Sequence, residues 1–504
     1  MPKLWWGGLA WPLLLLAGCQ APVENSDKDM GVRRVGTIAF RPCTLEGGRT
    51  GEGLQAQCGT LAVPEDPSQP KGRLIDLRIA WLAPEEGRKG LPDPVFFLAG
   101  GPGQAASEVA SAVHPALKDI NQTRDLFFID QRGTGGSNPL DCRDAAGAPL
   151  EMDETVSDAD GLAAFARQCL AGLEGRADPR FYTTSHAIDD LEAVRQALGA
   201  PQVNLIGGSY GTRVAQQYAA RYPDRTRSIV LDGVVPNDLV VGAEFAQTFQ
   251  RAIEAQSALC RADAACAARF PTDTVTQLRQ VVDTLRQSPR TVKYRDPSTA
   301  QWVEETLPAE SVTGLAFTFS YSPEMAALLP VVVDEAAQGR YEALASLARL
   351  AGQSMAGSIN RGMQWSVICS EDAERKTAPV AGADDTLLGP ETAALFYAAC
   401  PVWPQGRAPE GFTRPLATEV PALLLSGELD PVTPPSYGQR VAGHLPKGRH
   451  LVAHGRSHGT LGAGCMPDLL AQFVDTADAG AIDASCLDAL RPVPPFTSFN
   501  GWEP

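Results

Sequence analysis

The chain has 504 residues, of which 44% are apolar, 20% charged and 7% aromatic. This composition supports a large buried core and excludes a disordered chain, a collagen and a coiled coil. The net charge of −16 argues against nucleic acid as a partner. At roughly 150 residues per domain, the length fits about three domains, and it fits one large domain with an insertion equally well.

The N-terminal segment is typical of an export signal rather than of a folded domain. Lys3 precedes an apolar run that is too short to span a membrane and that ends in small residues. The run closes on Leu16–Cys19, with the sequence LAGC, which resembles the bacterial lipobox. In such signals the cysteine becomes the new N-terminus and carries lipid. The resemblance therefore predicts a signal peptide over residues 1–19 and lipidation of Cys19. The alternative is an ordinary signal that is cleaved near Ala21.

The residues after the signal bear on the cellular location. Gln20 is not the aspartate that would resemble an inner-membrane retention signal. We therefore expect an exported protein in the cell envelope of a Gram-negative bacterium, anchored by lipid in the outer membrane at its periplasmic face. Residues 20–35 are mostly polar and are predicted to form a flexible tether. No later segment reaches the roughly 18 apolar residues that a membrane-spanning helix needs, so the lipid is the only membrane contact that we expect.

Export changes the interpretation of the cysteines. Of the 11 cysteines, ten remain when Cys19 is set apart. An even number in an oxidising compartment predicts disulfides, and short loops favour pairing between neighbours along the chain. Metal binding is the alternative, but no Cys-x-x-Cys is present and the six histidines lack the spacing of zinc ligands, so we predict no metal. The predicted pairs are Cys43–Cys58, Cys142–Cys169, Cys260–Cys266, Cys369–Cys400 and Cys465–Cys486.

Buried strands and helices alternate along much of the chain. Residues 73–82 show the period-two alternation of a half-buried strand. Residues 188–198 carry apolar side chains at the spacing of one helix face. Six further runs are continuously apolar, as in strands covered on both faces. Together these patterns predict an α/β fold with a mostly parallel central sheet flanked by helices. The six runs are residues 94–98, 125–130, 203–206, 228–232, 422–426 and 450–453.

The alternation stops between residues 236 and 411. That stretch is mostly helical in pattern, and no buried strand stands out in it. We interpret residues 236–411 as a helical cap inserted into the α/β core. The core is then predicted to consist of residues 36–235 and, together with the C-terminal segment, residues 412–504.

A nucleophile motif directly follows one of the buried strands. Gly207–Gly211 has the sequence GGSYG and lies between the strand at 203–206 and a predicted helix at 212–221. Strand, G-x-S-x-G and helix form a nucleophile elbow, in which a tight turn holds the serine hydroxyl at a helix N-terminus. The motif predicts Ser209 as the nucleophile of acyl transfer. A glycine-rich turn with a purely structural role is the alternative.

A nucleophilic serine needs a base and an acid that orients the base, and in this arrangement the acid and then His follow the serine along the chain. Asp430 follows the fifth of the six apolar runs and His458 follows the sixth, so both lie at the carboxyl ends of strands. We predict Asp430 as the acid and His458 as the base. Asp232 is the alternative acid and His454 the alternative base, and a role in turn formation is the alternative for Asp430.

Acyl transfer also needs N–H donors for the developing oxyanion. The backbone N–H of Tyr210, immediately after the serine, is one predicted donor. We expect the other from the glycine-rich segment after residues 94–98, because glycine lets the backbone approach a substrate closely. We favour Gly101 over Gly100 as this donor. A tight turn without this role is the alternative.

Several segments together resemble the prolyl aminopeptidase branch of the α/β-hydrolases, and more closely its secreted tripeptidyl aminopeptidase relatives. The resemblance extends from about residue 40 to about residue 490. Ala99 departs from the histidine that prolyl aminopeptidases usually carry before the glycines, which favours the tripeptidyl subgroup. The segments that carry the resemblance are Gly100–Gly103 (GGPG), Asp130–Ser137 (DQRGTGGS), Gly207–Gly211 (GGSYG), Leu231–Val235 (LDGVV) and Ile368–Asp372 (ICSED), with the tail that holds Asp430, His458 and Cys465.

The resemblance implies an α/β-hydrolase fold with an inserted helical cap and a triad of Ser209, Asp430 and His458. It also implies a serine peptidase that cleaves short peptides from a free N-terminus through an acyl-enzyme, without cofactor or metal. A carboxylesterase that acts on small esters with the same triad is the alternative, because fold and triad do not distinguish the two. A non-catalytic binding protein and a structural envelope lipoprotein are further alternatives, but both leave the motifs unexplained.

The resemblance also implies a site for the substrate's amine. In this family, acidic groups of the cap bind the α-ammonium, and Glu371 and Asp372 are the candidates for this role. The alternative is that they are ordinary surface acids or that they pair with Arg375. We interpret Asp130 and Arg132 as residues that brace the oxyanion loop rather than react.

Overall fold

A ten-stranded sheet runs through the protein in the computed structural model. The predicted signal peptide, Cys19 and residues 20–30 of the predicted tether lie outside the residues that the structure describes. The prediction of a flexible tether up to residue 35 is wrong at its end, because Arg33–Val35 form a strand that pairs with residues 38–40. Among the residues that it does describe, no helix combines the length and the apolar character that crossing a membrane requires. The described residues are 31–46, 53–84, 90–150, 158–375 and 382–501.

The strands confirm the predicted α/β architecture with a mostly parallel sheet. The strands are β1 (Arg33–Val35), β2 (Ile38–Leu45), β3 (Leu54–Pro64), β4 (Leu74–Leu82), β5 (Val95–Leu98), β6 (Leu126–Ile129), β7 (Val203–Gly208), β8 (Thr226–Asp232), β9 (Arg290–Arg295), β10 (Trp302–Leu307), β11 (Ala422–Gly427) and β12 (Gly448–Ala453). The order across the main sheet is β1-β2-β3-β4-β6-β5-β7-β8-β11-β12. Strands β1 to β4 pair antiparallel, as do β4 and β6, and the pairs from β6 onward to β12 are parallel.

Helices cover both faces of this sheet. The helices are α1 (Ala106–Asn121), α2 (Ala159–Leu173), α3 (Thr184–Leu198), α4 (Tyr210–Arg221), α5 (Phe245–Ala262), α6 (Ala264–Arg269), α7 (Thr274–Gln287), α8 (Ala309–Phe319), α9 (Pro323–Ala326), α10 (Leu329–Ala337), α11 (Glu342–Ala356), α12 (Arg361–Glu371), α13 (Glu391–Phe396), α14 (Pro435–Ala442) and α15 (Met466–Thr476). Side chains of α2, α3, α4 and α12 join the apolar cluster on one face, and those of α1 and α15 join the cluster on the other.

The central strands are apolar throughout because both of their faces are covered. Phe96 and Phe127 belong to the cluster on one face of the sheet. Their neighbours Phe97 and Phe128 belong to the cluster on the opposite face. Successive side chains of a strand point to opposite faces, so a strand between two helical layers needs apolar residues at every position.

The stretch between β8 and β11 packs in two parts. The first part, from α5 to α11, has an apolar cluster of its own, and it contains an antiparallel hairpin, β9–β10, that the sequence pattern did not indicate. Only alternate residues of β9, Val292 and Tyr294, are buried, so this strand has no continuous apolar run. The second part, which includes α12, packs into the main core through Met363, Val367 and Ile368. The boundaries of the inserted cap at 236 and 411 stay a prediction.

The five predicted disulfides are confirmed. In each pair the sulfur atoms lie at bonding distance, and the pairing is between cysteines that are neighbours along the chain. The bonded pairs are Cys43–Cys58, Cys142–Cys169, Cys260–Cys266, Cys369–Cys400 and Cys465–Cys486.

Candidate active site

The predicted nucleophile lies in the turn between β7 and α4. Ser209 has φ of +54° and ψ of −124°, a combination that is unfavourable for a residue with a side chain. A Cβ on Gly207 would lie 2.4 Å from the carbonyl oxygen of Gly211, and a Cβ on Gly211 would lie 2.1 Å from that of Leu98. A Cβ on Gly208 would meet nothing within 4 Å beyond its chain neighbours. Close packing therefore requires the first and last glycines of the motif but not the second.

Hydrogen bonds hold Ser209 in this conformation. Its N–H donates to the carbonyl oxygen of Asp232, at the end of β8, over 2.8 Å. Its carbonyl oxygen accepts from the N–H of Thr212 at 2.9 Å and from the hydroxyl of Thr212 at 2.6 Å. That hydroxyl also accepts from the N–H of Val235 at 2.8 Å. Thr212, which the sequence analysis did not single out, thus ties the nucleophile turn to the chain after β8.

The predicted acid and base are in direct contact. Oδ2 of Asp430 and Nδ1 of His458 are 2.8 Å apart. Asp430 is buried, and its Oδ1 accepts from the N–H groups of Val432 and Thr433 at 2.9 and 2.7 Å. The hydroxyl of Thr433 donates to Oδ2 of Asp430 over 2.8 Å and lies 3.1 Å from Nδ1 of His458. These donors orient the carboxylate towards the imidazole. Thr433 lies three residues after Asp430, a spacing that local Asp–Thr turns share, and this was the signal that could have identified it.

The surroundings of His458 favour its protonated form. Burial lowers the pKa of His458, but the charge and hydrogen bond of Asp430, together with the charge of Asp232, raise the pKa above its ordinary value. The ring of Tyr321, from the segment between β8 and β11, packs edge-on against the imidazole at 5.2 Å between centroids. The backbone N–H of His458 also donates to the carbonyl oxygen of Tyr321 at 3.3 Å. Such a histidine can take up a proton and hold it next to a carboxylate.

The loops that carry Ser209, Asp430 and His458 leave the same edge of the sheet. Strands β7, β8, β11 and β12 are adjacent and parallel, so their carboxyl ends lie side by side. The residue after Asp232 links two of these loops, since a Cβ on Gly233 would lie 3.1 Å from Cε1 of His458. Asp232 itself binds the N–H of Ser209 through its carbonyl oxygen. The structure therefore joins Asp430 to His458 directly and links the His458 loop to the turn of Ser209 through Asp232 and Gly233. The triad of Ser209, Asp430 and His458 stays a prediction.

The alternative acid and base have other partners. The buried carboxylate of Asp232 accepts from the N–H and the hydroxyl of Thr460 at 2.7 and 2.8 Å, so it anchors the loop that carries His458. His454 is half-exposed and pairs with Glu428, with Nδ1 and Oε2 2.6 Å apart. This geometry favours the first choices over the alternatives.

The glycine-rich loop after β5 lies against the nucleophile. A Cβ on Gly100 would lie 3.6 Å from the hydroxyl oxygen of Ser209. Gly101 has φ of +106°, a conformation that glycine adopts at little cost. Tyr210 is the first residue of α4, so its N–H is one of the free N–H groups of that helix. The choice between Gly101 and Gly100 as second donor stays a prediction.

Asp130 anchors the start of α1, the helix that follows this glycine-rich loop. Its carboxylate accepts from the N–H and hydroxyl of Ser107, in the first turn of α1, at 2.8 and 2.9 Å, and from the N–H of Gly136 at 3.0 Å. In the loop itself, the N–H of Asn360 donates to the carbonyl oxygen of Gly103 at 2.8 Å. These contacts agree with the bracing role that we inferred for Asp130.

Arg132 is a buried structural cation. Its guanidinium forms two hydrogen bonds of 2.6 Å to the carboxylate of Asp190. It also donates to the carbonyl oxygens of Glu65 and Phe181 at 2.9 and 2.8 Å. Since all of these partners lie within the protein, Arg132 joins β3, α3 and the loop after β6 rather than facing a substrate.

Glu371 and Asp372 are both buried. Asp372 is fully buried and pairs with Arg213 at 3.1 Å and with Arg375, so the pairing that we gave as the alternative is present. Both carboxylate oxygens of Glu371 accept hydrogen bonds from Thr184. An ammonium group would have to displace these contacts to reach either carboxylate. Both acids thus have buried partners, and the amine-binding role that the resemblance implied stays a prediction.

The described part of the chain contains no group of three or more His, Cys, Asp or Glu side chains arranged to hold a metal ion.

Comparisons with known proteins agree with this geometry. Residues 93–309 match the family model for the alpha/beta hydrolase fold, and residues 386–486 match the model for TAP-like proteins. Serine protease Hip1 of Mycobacterium tuberculosis is 25% identical over 517 aligned residues, covering 95% of this chain and 97% of the relative. Tripeptidyl aminopeptidase of Streptomyces lividans is 30% identical over 189 residues, which cover 36% of this chain and 35% of the relative.

Two further similarities are to an esterase and to a solved structure. Carboxylesterase B of Mycobacterium tuberculosis is 32% identical over 274 residues, which cover 51% of each protein. The crystal structure of proline iminopeptidase from Mycobacterium smegmatis aligns with a TM-score of 0.35 and 17% identity, covering 84% of this chain and 100% of that one, and a similarity at this level carries no further argument. On the two family models and the relatives, the chain belongs to the α/β-hydrolases and is an enzyme of their peptidase type.

Proposed function

We propose that the protein is a serine peptidase that removes short peptides from a free N-terminus through an acyl-enzyme. The observation that carries this proposal is the 2.8 Å contact between Asp430 and His458 at the sheet edge where Ser209 is held in its strained turn. His458 takes the hydroxyl proton as Ser209 attacks the carbonyl carbon. Asp430 keeps the imidazole in the required tautomer and stabilises the imidazolium. The N–H groups of Tyr210 and Gly101 stabilise the oxyanion.

The second half of the reaction uses the same groups. His458 gives its proton to the leaving amine, which departs, and the N-terminal fragment remains as an ester on Ser209. Water then gives up a proton to His458 and attacks the ester, and His458 returns that proton to the Ser209 oxygen as the acid is released. Water is the only co-reactant that these steps need.

The cover over the site supports cleavage near a chain end. Tyr321 packs on the imidazole of His458, and a Cβ on Gly101 would lie 3.3 Å from Cδ1 of Ile359. Both covering residues come from the segment between β8 and β11. A peptide terminus can enter beneath such a cover, whereas a loop of a folded protein would need room on both sides of the scissile bond. The similarity to tripeptidyl aminopeptidase points in the same direction.

Hydrolysis of small esters is the second candidate. The similarity to carboxylesterase B supports it, and the same triad would perform it. The two candidates differ in whether the substrate's amine contributes to binding.

We also propose that the protein is exported and lipid-anchored through Cys19 in the outer membrane. Five disulfides support an oxidising compartment. Growth with labelled palmitate should label the wild type but not Cys19→Ser. Absence of label from the wild type would exclude the lipid anchor.

The experiment that tests the activity compares matched chromogenic peptides with free and acetylated N-termini and a short-chain nitrophenyl ester. The protein without residues 1–19 and its Ser209→Ala variant are assayed in parallel. We expect cleavage of the free-amine peptides, little cleavage of the acetylated ones and no turnover by the variant. Turnover of the ester alone would contradict the peptidase assignment and favour the carboxylesterase.

A further inference from the structure

A buried carboxylate that the mechanism does not use lies close to the nucleophile turn. Glu371 is the last residue of α12 and is 5% exposed. Its Oε1 accepts from the backbone N–H of Thr184 at 2.6 Å, and its Oε2 accepts from the hydroxyl of Thr184 at 2.9 Å. Thr184 is the first residue of α3, so the carboxylate satisfies a free N–H of that helix and faces the positive end of its dipole.

The hydrogen bonds continue from Thr184 to the residue after the nucleophile. The hydroxyl oxygen of Thr184 lies 2.6 Å from the phenol oxygen of Tyr210, and the side-chain amide of Gln131 donates to that phenol at 3.3 Å. A threonine hydroxyl has one hydrogen. When that hydrogen goes to the carboxylate of Glu371, the Thr184 oxygen accepts from the Tyr210 phenol. Every donor in this row of hydrogen bonds then has an acceptor.

Protonation of Glu371 would reverse this chain. A protonated Oε2 donates to Thr184, whose hydroxyl must then donate to the phenol oxygen of Tyr210. That oxygen would receive hydrogens from both Thr184 and Gln131, and the phenol's own hydrogen would need a new acceptor. The ionised carboxylate is therefore the state that fits the observed contacts.

The hydrogen bonds from Glu371 through Thr184 act on the nucleophile turn, because the phenol that they hold and the backbone N–H next to Ser209 both belong to Tyr210. Tyr210 is 1% exposed and begins α4, directly after Ser209 with its positive φ. Anchoring the phenol limits the orientations of the backbone N–H at the start of the helix. A donor contributes to an oxyanion site only if its direction is set before the charge develops.

Ionised Glu371 is costly to bury. Burial raises the pKa of Glu371 to about 7, Arg213 opposes this rise, and Asp372 adds to it. A neutral side chain of the same size would avoid the loss of hydration that the charge suffers. The charge therefore decreases stability at a position where it organises the residue next to the nucleophile.

We propose that Glu371 is a positioning residue for acyl transfer: through Thr184 it holds the phenol of Tyr210, and thereby directs the N–H that follows Ser209 towards the oxyanion. This inference rests on the function proposed above. It gives Glu371 a role that does not require contact with the substrate's amine.

The sharpest variant is Tyr210→Phe, which removes the hydroxyl and keeps the N–H. Tyr218→Phe is the matched control, because Tyr218 lies on the same helix, is equally buried and donates to the carboxylate of Glu192 at 2.9 Å. With the full-length protein in detergent, we expect Tyr210→Phe to lower kcat roughly tenfold and to leave KM within about twofold, as expected for a misdirected oxyanion donor. Its rate of reaction with a fluorophosphonate should fall by the same factor. Tyr218→Phe should leave both rates unchanged.

Glu371→Gln tests the other end of the chain. The glutamine NH2 group would donate to the Thr184 hydroxyl and reverse the hydrogen bonds, so we expect the same loss of kcat, with Glu192→Gln as its control. Melting by circular dichroism shows which variants are folded. If folded Tyr210→Phe or Glu371→Gln reacts with the fluorophosphonate at the wild-type rate, the positioning role is wrong while the serine-hydrolase site stands. If the wild type itself does not react, the proposed function fails and the inference fails with it.

Discussion

Oδ2 of Asp430 and Nδ1 of His458 are 2.8 Å apart, although 28 positions separate the two residues along the chain. They meet because β11 and β12 are neighbouring parallel strands and each residue lies in the loop after its strand. Donors from Val432 and Thr433 occupy other positions around the Asp430 carboxylate. The direction in which the carboxylate accepts the imidazole is thereby restricted.

The raised pKa of His458 predicts the acid side of the pH profile. Only the neutral imidazole can accept the Ser209 proton, so kcat/KM should rise with pH as His458 deprotonates, with a midpoint above 6.5. In Asp430→Asn the charge and the charged hydrogen bond that raise this pKa are lost, while burial still lowers it. The midpoint should move to lower pH than in the wild type, and kcat should fall by about 10³- to 10⁴-fold.

Glu428→Gln is the control for this profile, because Glu428 pairs with the alternative base His454. Its midpoint should equal that of the wild type. The midpoint is measured from steady-state kcat/KM between pH 5 and 9 for the wild type, Asp430→Asn and Glu428→Gln. A midpoint that moved in Glu428→Gln and not in Asp430→Asn would assign the base to His454 instead.

The hydroxyl of Thr433 supports the Asp430–His458 contact. Thr433→Val keeps the shape of the side chain but removes the 2.8 Å hydrogen bond to Asp430. We expect kcat to fall about tenfold with little change in KM, since the acid loses one of the groups that orient it. Thr433→Ser, which retains the hydroxyl, should recover most of the rate. Equal losses in the two variants would point to packing rather than to the hydrogen bond.

The glycines of the nucleophile turn should differ in their tolerance to substitution. Gly211→Ala would place a methyl group 2.1 Å from the carbonyl oxygen of Leu98, and Gly207→Ala would place one 2.4 Å from that of Gly211. Both should lose more than about 2 kcal/mol of unfolding free energy and most of their activity. Gly208→Ala has open space around the added methyl and should keep a near-wild-type melting temperature. Urea titrations of the three variants compare them, and an equally damaged Gly208→Ala would refute this distinction.

The pKa of Glu371 predicts a stability that depends on pH. The folded-state pKa of about 7 exceeds the ordinary 4.5, so folding favours the protonated acid. Between these two pH values Glu371 is ionised in the unfolded chain but still largely protonated in the folded protein. The free energy of unfolding of the wild type therefore decreases as pH rises. Glu371→Gln has no such loss, so its unfolding free energy should gain roughly 3 kcal/mol on that of the wild type between pH 4.5 and 7.

Glu192 offers a control of opposite sign. Burial raises the pKa of Glu192, but the hydrogen bonds from Arg195, Gln196 and Tyr218 outweigh burial and lower the pKa to about 2. Its stabilising contribution is present above the ordinary pKa and disappears as pH falls through the folded value. Glu192→Gln should therefore lose stability relative to the wild type as pH rises. Thermal melts at pH 3, 5 and 8 separate the two variants. Relative to the wild type, Glu192→Gln should lose stability between pH 3 and pH 5, whereas Glu371→Gln should gain stability between pH 5 and pH 8. The same trend in both variants would contradict the assigned partners.

Local sequence patterns were sufficient to predict the nucleophile turn, the strands that precede the acid and the base, and the disulfide pairs. The turn around Ser209 requires small residues at Gly207 and Gly211, because their neighbours in space are atoms of the same turn and of the adjacent strand β5. The apolar runs before Asp430 and His458 identify parallel strands, and in such a sheet the loops after the strands share one edge. The even number of cysteines besides Cys19, with short loops between neighbours, also indicated the disulfide pairs. All of these features depend on short stretches of chain or on one rule of sheet geometry.

The sequence by itself therefore determined the α/β architecture, the nucleophile turn and the order of acid and base. Only the tertiary structure decided what the remaining acids do. Glu371 binds Thr184 across 187 positions, and Asp372 binds Arg213 across 159. An ionisable side chain takes its role from the groups that neutralise or hydrate it. When those groups come from distant helices, no local pattern contains them. The partners of Glu371 and Asp372, a helix N-terminus and a buried arginine, therefore became visible only in the folded protein.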